Sequence, residues 1–477
     1  MSLKKNFVYN IIYQIFSLLL PVITVPYISR VLGPNGVGLY SYTLSYAQYF
    51  VLIGMIGINL YGNRQIAYSK NNKEKLSKEF WNIYSLQFIT TIIAFSMYII
   101  VFIFLNNSNR ILYLVQSIVI FTAIFDISWF FMGYEDMSSI VIRNTIVKVI
   151  GIISIFLFVK KPSDVIKYAF IIVISNFIGQ VIMWFNIKDK IYIYGLSIKE
   201  SLKHLKPSLA LFISQLAIQI YILLDKTMLG IMTNVYEVGL YENSQKTIKL
   251  ALTLITSLGV VMLPRMSALY SQGKKEEFNN NIYKAFSFVN FMSFPMILGL
   301  IAVSNTFSLW FYGNSFYGVG FLLKIGSMLM IFIGWSNILG IQVMLPMKKE
   351  RQFTISVTIG AIVNFILNLF LIRKFQAVGS TLASVIAEFS VTVVQLYFLK
   401  NLIDIKIILK LIVKPLIGAV TMFVILIEII PLFKVGIGET FIEIAIGFTI
   451  YLIVMYILKD SFLQEAFNIM KKKFLKR

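Results

Sequence analysis

The sequence predicts an all-α polytopic membrane protein of about 14 transmembrane helices: two six-helix lobes related by a parallel internal repeat, plus two C-terminal helices. Three observations predict it. Of 477 residues, 58% are apolar and 13% charged, against about 25% charged in soluble domains. The apolar residues fall into runs of about 20, the length that crosses a bilayer as a helix. One pattern also recurs at a fixed offset. Val37-Gly38-Leu39-Tyr40 and Val238-Gly239-Leu240-Tyr241 are the same tetrapeptide, and 24 residues after each Tyr comes an arginine, Arg64 or Arg265. Leu32-Gly33 and Leu229-Gly230 precede the two copies, with a four-residue insertion in the second. Paired homologous halves are a common plan for transporters.

The spans read in order as 7–30, 40–63, 80–105, 111–132, 138–159, 165–187, 207–231, 241–264, 283–305, 321–346, 353–372, 379–399, 408–431 and 438–458. All should be helices, because open sheet edges are not satisfied in lipid and the runs are too long for barrel strands. The first follows Lys4-Lys5, exceeds a signal-peptide core and has no small-x-small cleavage site after it, so it is read as a span. Pro21 and Pro26 within it have no counterpart in span 7. They should kink the helix and free carbonyls, as a packed kink or a hinge.

Basic residues orient the chain. With both termini in the cytoplasm, and residues near span ends counted with the side they adjoin, the inner side holds 30 Lys and Arg and the outer side 10, while Lys148, Lys226 and Lys249 are counted within spans. Six spans precede Lys199–Lys206, so both halves begin on the same side and a parallel repeat follows. The expected domains are an N-terminal lobe 1–198, a C-terminal lobe 199–402, two extra transmembrane helices in 403–460 and a basic cytoplasmic tail 461–477. That tail carries Phe462, Phe467 and Phe474 among lysines, a pattern suited to an amphipathic helix on the anionic inner leaflet.

Composition excludes several chemistries. There is no cysteine, and the one histidine, His204, lies beside Lys203 and Lys206 and reads as a solvated loop residue. No metal site and no cofactor are expected, and no GxxxxGK[ST] run for ATP exists. The net charge of +22 is scattered through short connections, which points to membrane topology rather than to nucleic acid. The longest inner connection, 188–206, is too short for a soluble catalytic domain.

Charge within spans needs a reason, since a charged residue near the bilayer centre costs about 2.5–3.5 kcal/mol. Lys148 is near mid-membrane, with Arg143 one turn away and Asn144 on the same face. It lines a substrate cavity or belongs to a structural ion pair. Arg30, Asp225, Lys226, Lys246 and Lys249 occupy outer parts of spans 1, 7 and 8; Asp225 is placed to neutralise Lys249 or Arg30 from a neighbouring span. Arg64 and Arg265 end spans 2 and 8 as positive-inside anchors, or as two guanidiniums facing each other across an inward mouth, where their forks would bind phosphate. The acidic candidates for a coupling ion or charge balance are Asp126, Asp225 and Glu388, whereas Glu428 and Glu443 read as solvated helix ends. Buried charge is mostly positive, which suits an anionic passenger.

At this point the residues resemble a family. Pro26-Tyr27-Ile28-Ser29-Arg30-Val31-Leu32-Gly33, continuing to Gly38-Leu39-Tyr40-Ser41, is similar to the first-helix signature of polysaccharide repeat-unit (lipid-linked oligosaccharide) flippases. So are Leu224-Asp225-Lys226-Thr227-Met228-Leu229-Gly230 and Met262-Leu263-Pro264-Arg265-Met266. Asn364 and Asn368 with Gly379 and Ala383 are similar to its eleventh and twelfth helices. These are the Wzx-type members of the multidrug/oligosaccharidyl-lipid/polysaccharide exporter (MOP, MATE-like) superfamily. The resemblance implies two helical bundles opening alternately to each side, and no catalysis. Its implied passenger is an undecaprenyl-pyrophosphate-linked oligosaccharide, carried across a prokaryotic plasma membrane for capsule, O-antigen or teichoic-acid-like polymers. The implied partners are the lipid bilayer, a polysaccharide polymerase and glycosyltransferases. On that reading Arg30, Arg64, Lys148, Lys226, Lys249 and Arg265 bind substrate. The alternatives are a drug or cation antiporter of the same superfamily, which would want a carboxylate-lined cavity, and a membrane polymerase, which would want long outer loops.

Overall fold

The computed structural model describes residues 3–104, 109–195, 197–465 and 467, and every regular element among them is helical. The chain forms two compact units, residues 1–239 and 240–477. Eleven helical stretches among the described residues are long and apolar enough to cross a membrane. Two of these, Leu20–Ser69 and Glu350–Phe398, each overlap two of the expected spans, and the helix Leu205–Met232, which is not among the eleven, covers the expected span 207–231.

The first unit opens with α1, Leu3–Met55, which stays helical through Pro21 and Pro26 and turns instead at Gly33, where φ is 67°. The expected kink is thus no interruption. Pro34 follows the turn directly, at a first helical position where its missing N–H costs nothing. Next come α2 (Ile58–Ser69), α3 (Lys73–Ile99, prolonged by a π turn to Phe104), α4 (Arg110–Ile124) and α5 (Ser128–Gly133). The unit continues with α6 (Met137–Phe158), α7 (Val165–Phe185), α8 (Ile198–Lys203) and α9 (Leu205–Met232).

Two breaks in this unit show how a membrane protein interrupts a helix. Between α1 and α2, Ile56 and Gly57 both have positive φ. The carbonyls released there are met by side chains: Ser208 Oγ donates to Ile56 O at 2.7 Å and Thr90 Oγ1 to Gly54 O at 2.6 Å. A β-carbon on Gly57 would stand 2.7 Å from Ser208 O and 2.8 Å from Phe212 N, so only glycine allows α9 to approach. Between α4 and α5 the fully buried Gln87 does the same work. Its Nε2 donates to the carbonyls of Ala123 at 2.7 Å and Asp126 at 2.9 Å, while its Oε1 accepts from Trp129 Nε1 at 2.8 Å. Without water, each orphaned carbonyl would cost several kcal/mol.

The repeated tetrapeptide is a packing device. A β-carbon on Gly38 would collide with Val235 O at 1.7 Å, and one on Gly239 with Pro34 O at 2.1 Å. Each copy's glycine therefore lies against the backbone just ahead of the other copy.

The long connection after α7 is pinned rather than loose. Lys190 Nζ pairs with Asp136 at 2.5 Å, Trp81 Nε1 donates to Tyr192 O at 2.9 Å, and Tyr192 N donates to Ser77 Oγ at 2.8 Å.

The second unit contains α10 (Val235–Ser271, entering from the first unit), α11 (Lys275–Tyr312), α12 (Val319–Gly326), α13 (Leu329–Ser336, continued by a π turn to Met344), α14 (Glu350–Phe398, bent at Gln376), α15 (Ile405–Ile429) and α16 (Ile437–Ile457). The two C-terminal helices pack on α11 through Phe291, Ala419, Met422, Leu426, Tyr451 and Met455, and Tyr451 Oη donates to Phe291 O at 2.8 Å.

Candidate functional site

In the first unit, Lys148 lies midway along α6 and is half-buried. One turn earlier, Arg143 is only 8% exposed. Its guanidinium donates to Asn144 Oδ1 at 2.6 and 3.0 Å, to Gln180 Oε1 at 2.5 Å and to Ser128 Oγ at 3.4 Å. The amides of Asn144 and Gln180 and the Ser128 hydroxyl are among the groups that orient this guanidinium. On α9, Asp225 is 3% exposed and Lys226 half-buried; two residues on, Thr227 Oγ1 meets Tyr49 Oη of α1 at 3.1 Å. Arg30 is exposed, one turn before the bend at Gly33. Asp126, expected to carry a coupling ion or balance charge, uses its carboxylate as a helix cap: Oδ1 accepts from Ser128 N at 2.9 Å.

Arg64 on α2 is exposed, its guanidinium 5.9 Å from the Tyr61 ring centre. Tyr61 Oη lies 2.8 Å from His204 Nδ1, and His204 Nε2 is 4.0 Å from Glu79. The reading of His204 as solvated is therefore corrected: its side chain is 12% exposed and joins α2 to the connection between the repeats. Burial holds this imidazole below its ordinary pKa, outweighing the opposing pull of Glu79 and Glu200.

In the second unit, Lys249 is exposed on α10, and Lys246 one turn earlier pairs with Glu242 at 3.3 Å. Arg265, also exposed, lines a cavity of about 740 Å³ with residues of α11, α15 and the segment after α16. Glu388 is half-buried in α14, whose Asn364 and Asn368 are fully buried and bonded to each other at 3.1 Å. Glu443 is a second correction: read as solvated, it is 1% exposed, on a face of α16 turned toward protein. Glu428 is exposed, as read. Among the described residues no carboxylate lies within ion-pair distance of Arg64 or Arg265.

Residues 3–270, more than half of the chain, match the model of a family described as polysaccharide biosynthesis protein. The chain belongs to that family. Among polysaccharide biosynthesis proteins and their kin, it is 25% identical over 409 residues to an Escherichia coli (strain K12) protein assigned as an O-antigen transporter, covering 84% of this chain and 97% of that one. It is 23% identical to the lipid II flippase MurJ of Bacillus subtilis (strain 168), but only over 29% of this chain and 26% of that one. Its fold is that of the superfamily inferred from the motifs. A lipid II flippase MurJ structure in an inward closed conformation superposes with a TM-score of 0.77 at 20% identity, covering 95% of this chain and 98% of that one. An inward-facing MATE family multidrug transporter gives 0.64 at 12% identity over 80% and 94%.

Three elements of the site escaped sequence reasoning: Gln87, the His204–Tyr61–Glu79 group, and the cavity beside Arg265. Each joins residues far apart in the chain, and no local pattern marks them.

Proposed function

We propose that this protein translocates undecaprenyl-pyrophosphate-linked oligosaccharide repeat units from the cytoplasmic to the outer leaflet of a prokaryotic plasma membrane, for cell-surface polysaccharide assembly. The observation that carries the reading is membership of a polysaccharide biosynthesis family by a chain that is helical throughout its described residues and keeps cations within its spans. Both termini are taken to be cytoplasmic, following the 30:10 distribution of basic residues.

In this mechanism Arg64 and Arg265 capture the diphosphate at the inner mouth, each as a planar fork matched to phosphate oxygens. Arg30, Lys148, Lys226 and Lys249 hold it during passage, while the polyprenyl tail remains in lipid. Arg143 adds a fixed positive charge beside Lys148, oriented by Asn144 and Gln180. Asp225 and Glu388 balance charge or hold a coupling ion. The relative assigned as an O-antigen transporter supports a lipid-linked glycan as passenger, and nothing in the mechanism requires a covalent step. A polymerase and glycosyltransferases would act after and before it.

The test is complementation. In a strain lacking its own repeat-unit flippase, the wild-type chain should restore surface glycan, and Lys148→Ala and Arg265→Ala should abolish it at unchanged protein level. Normal surface glycan from both variants would remove the cationic relay. Resistance to cationic dyes without glycan would instead identify a drug antiporter.

A further inference from the structure

The cavity beside Arg265 has the chemistry of a binding site. It lies between α10, α11, α15 and the short helical segment Ser461–Glu465 that follows α16. At about 740 Å³ it falls within the range of small-molecule pockets. Its lining is mixed. Arg265 and Lys284 supply two cations, and Asn280 and Asn281 supply amides. Met262, Phe288 and Leu411 supply apolar surface. Among the described lining residues Glu465 is the one carboxylate, and it sits on Lys284 Nζ at 2.5 Å.

We propose that this cavity binds the phosphate head of an anionic lipid, with Glu465 as an internal competitor that occupies Lys284 when the site is empty. Cations and amides interleaved with apolar side chains, Met262 one turn from Arg265 and Phe288 one turn from Lys284, suit an amphiphile rather than a free ion. The segment Ser461–Glu465 is anchored by its first turn. Asp460 Oδ1 accepts from Phe462 N at 3.0 Å and Leu463 N at 3.2 Å, and the Phe462 ring packs on Phe288 and Phe291 at 5.5 and 4.9 Å. Glu465 stands beyond that anchor. The ion pair is about half-exposed on both sides, 47% and 46%, and such pairs are weak enough to exchange. A lipid diphosphate carries more negative charge than a carboxylate, and a phosphodiester headgroup matches it, so either competes with Glu465 for Lys284. The choice of an isoprenoid diphosphate as first ligand rests on the function proposed above, whereas the anionic-lipid site does not.

The experiment is native mass spectrometry of the full chain in neutral detergent, titrated separately with farnesyl diphosphate, phosphatidylglycerol and inorganic pyrophosphate. Farnesyl diphosphate should bind, Glu465→Gln should tighten it about two- to fivefold, and Lys284→Gln should weaken it about tenfold. The double variant should behave as Lys284→Gln. Both substitutions lie at half-exposed positions and leave the anchoring Phe462 and Asp460 in place. Unchanged binding in both single variants overturns the proposal, as does pyrophosphate binding as tightly as farnesyl diphosphate, because the apolar side chains would then have no role. Phosphatidylglycerol responding to Glu465→Gln while farnesyl diphosphate does not supports the anionic-lipid site and removes the diphosphate carrier from it. If Arg265→Ala abolishes glycan export while neither lipid responds to Lys284 or Glu465, the flippase reading stands and this site falls.

Discussion

His204 and Gln87 show what single polar side chains do where water is scarce. Gln87 closes the carbonyls opened between α4 and α5 and receives the Trp129 N–H, so Gln87→Leu would strand several buried groups at once. At about 1–3 kcal/mol for each unsatisfied group, the variant should lose at least about 3 kcal/mol and melt well below wild type in detergent. An unchanged melting midpoint would mean that water reaches the break. His204 titrates differently. Its folded pKa lies below the ordinary 6.5, so the unfolded chain takes up the proton first and stability falls as pH drops through about 6.5 and below. The groups facing it are Tyr61 on α2, Glu79 on α3, and Glu200 and Lys203 on α8. Between pH 7.5 and 5.5 the melting midpoint of wild type should fall, and His204→Gln should flatten that slope. Equal slopes would show that burial of this ring does not bear on folding.

The breaks decide how helices pass through the membrane, and here the two halves part company. Counted from the repeated Tyr, Gly57 corresponds to Leu258. The first half breaks at Gly57, and α10 runs unbroken through Leu258. Gly57→Ala adds a left-handed-region penalty of about 1 kcal/mol or more to a collision with the α9 backbone. It should lower the melting midpoint and weaken glycan export together. Wild-type behaviour would show that α9 can shift aside. The apolar membrane-crossing helices were legible because hydropathy is a local property. Both copies of the tetrapeptide were visible too, although not that their glycines exist to let backbones touch. Burial was not legible. A lipid-facing helix is apolar on every side, so hydropathy does not separate the face turned to lipid from the face turned to protein. Glu443 and His204 were therefore read as solvated from chain position alone. The caps and stitches at the breaks join residues such as Gly54 to Thr90 and Tyr61 to His204, separations over which a single sequence carries no signal.

The whole chain is a cation in a membrane, +22 overall, and that charge bears on what could drive transport. An anionic headgroup carried outward across a negative-inside membrane gains about 2.3 kcal/mol per charge per 100 mV. Since 1.4 kcal/mol is tenfold in an equilibrium, each charge at 100 mV biases the outer leaflet roughly fiftyfold, with no counter-ion needed. Proteoliposomes holding a fluorescent short-chain polyprenyl diphosphate sugar separate the two possibilities. A negative-inside potassium diffusion potential should accelerate transfer to the outer leaflet, and sodium or pH gradients clamped at zero potential should leave the rate flat. Transfer that instead followed a sodium or proton gradient would assign the driving force to a carboxylate. Asp225, buried on α9, would then be the first to replace, because a buried acid within the span is the group whose charge an exchanging cation can alter.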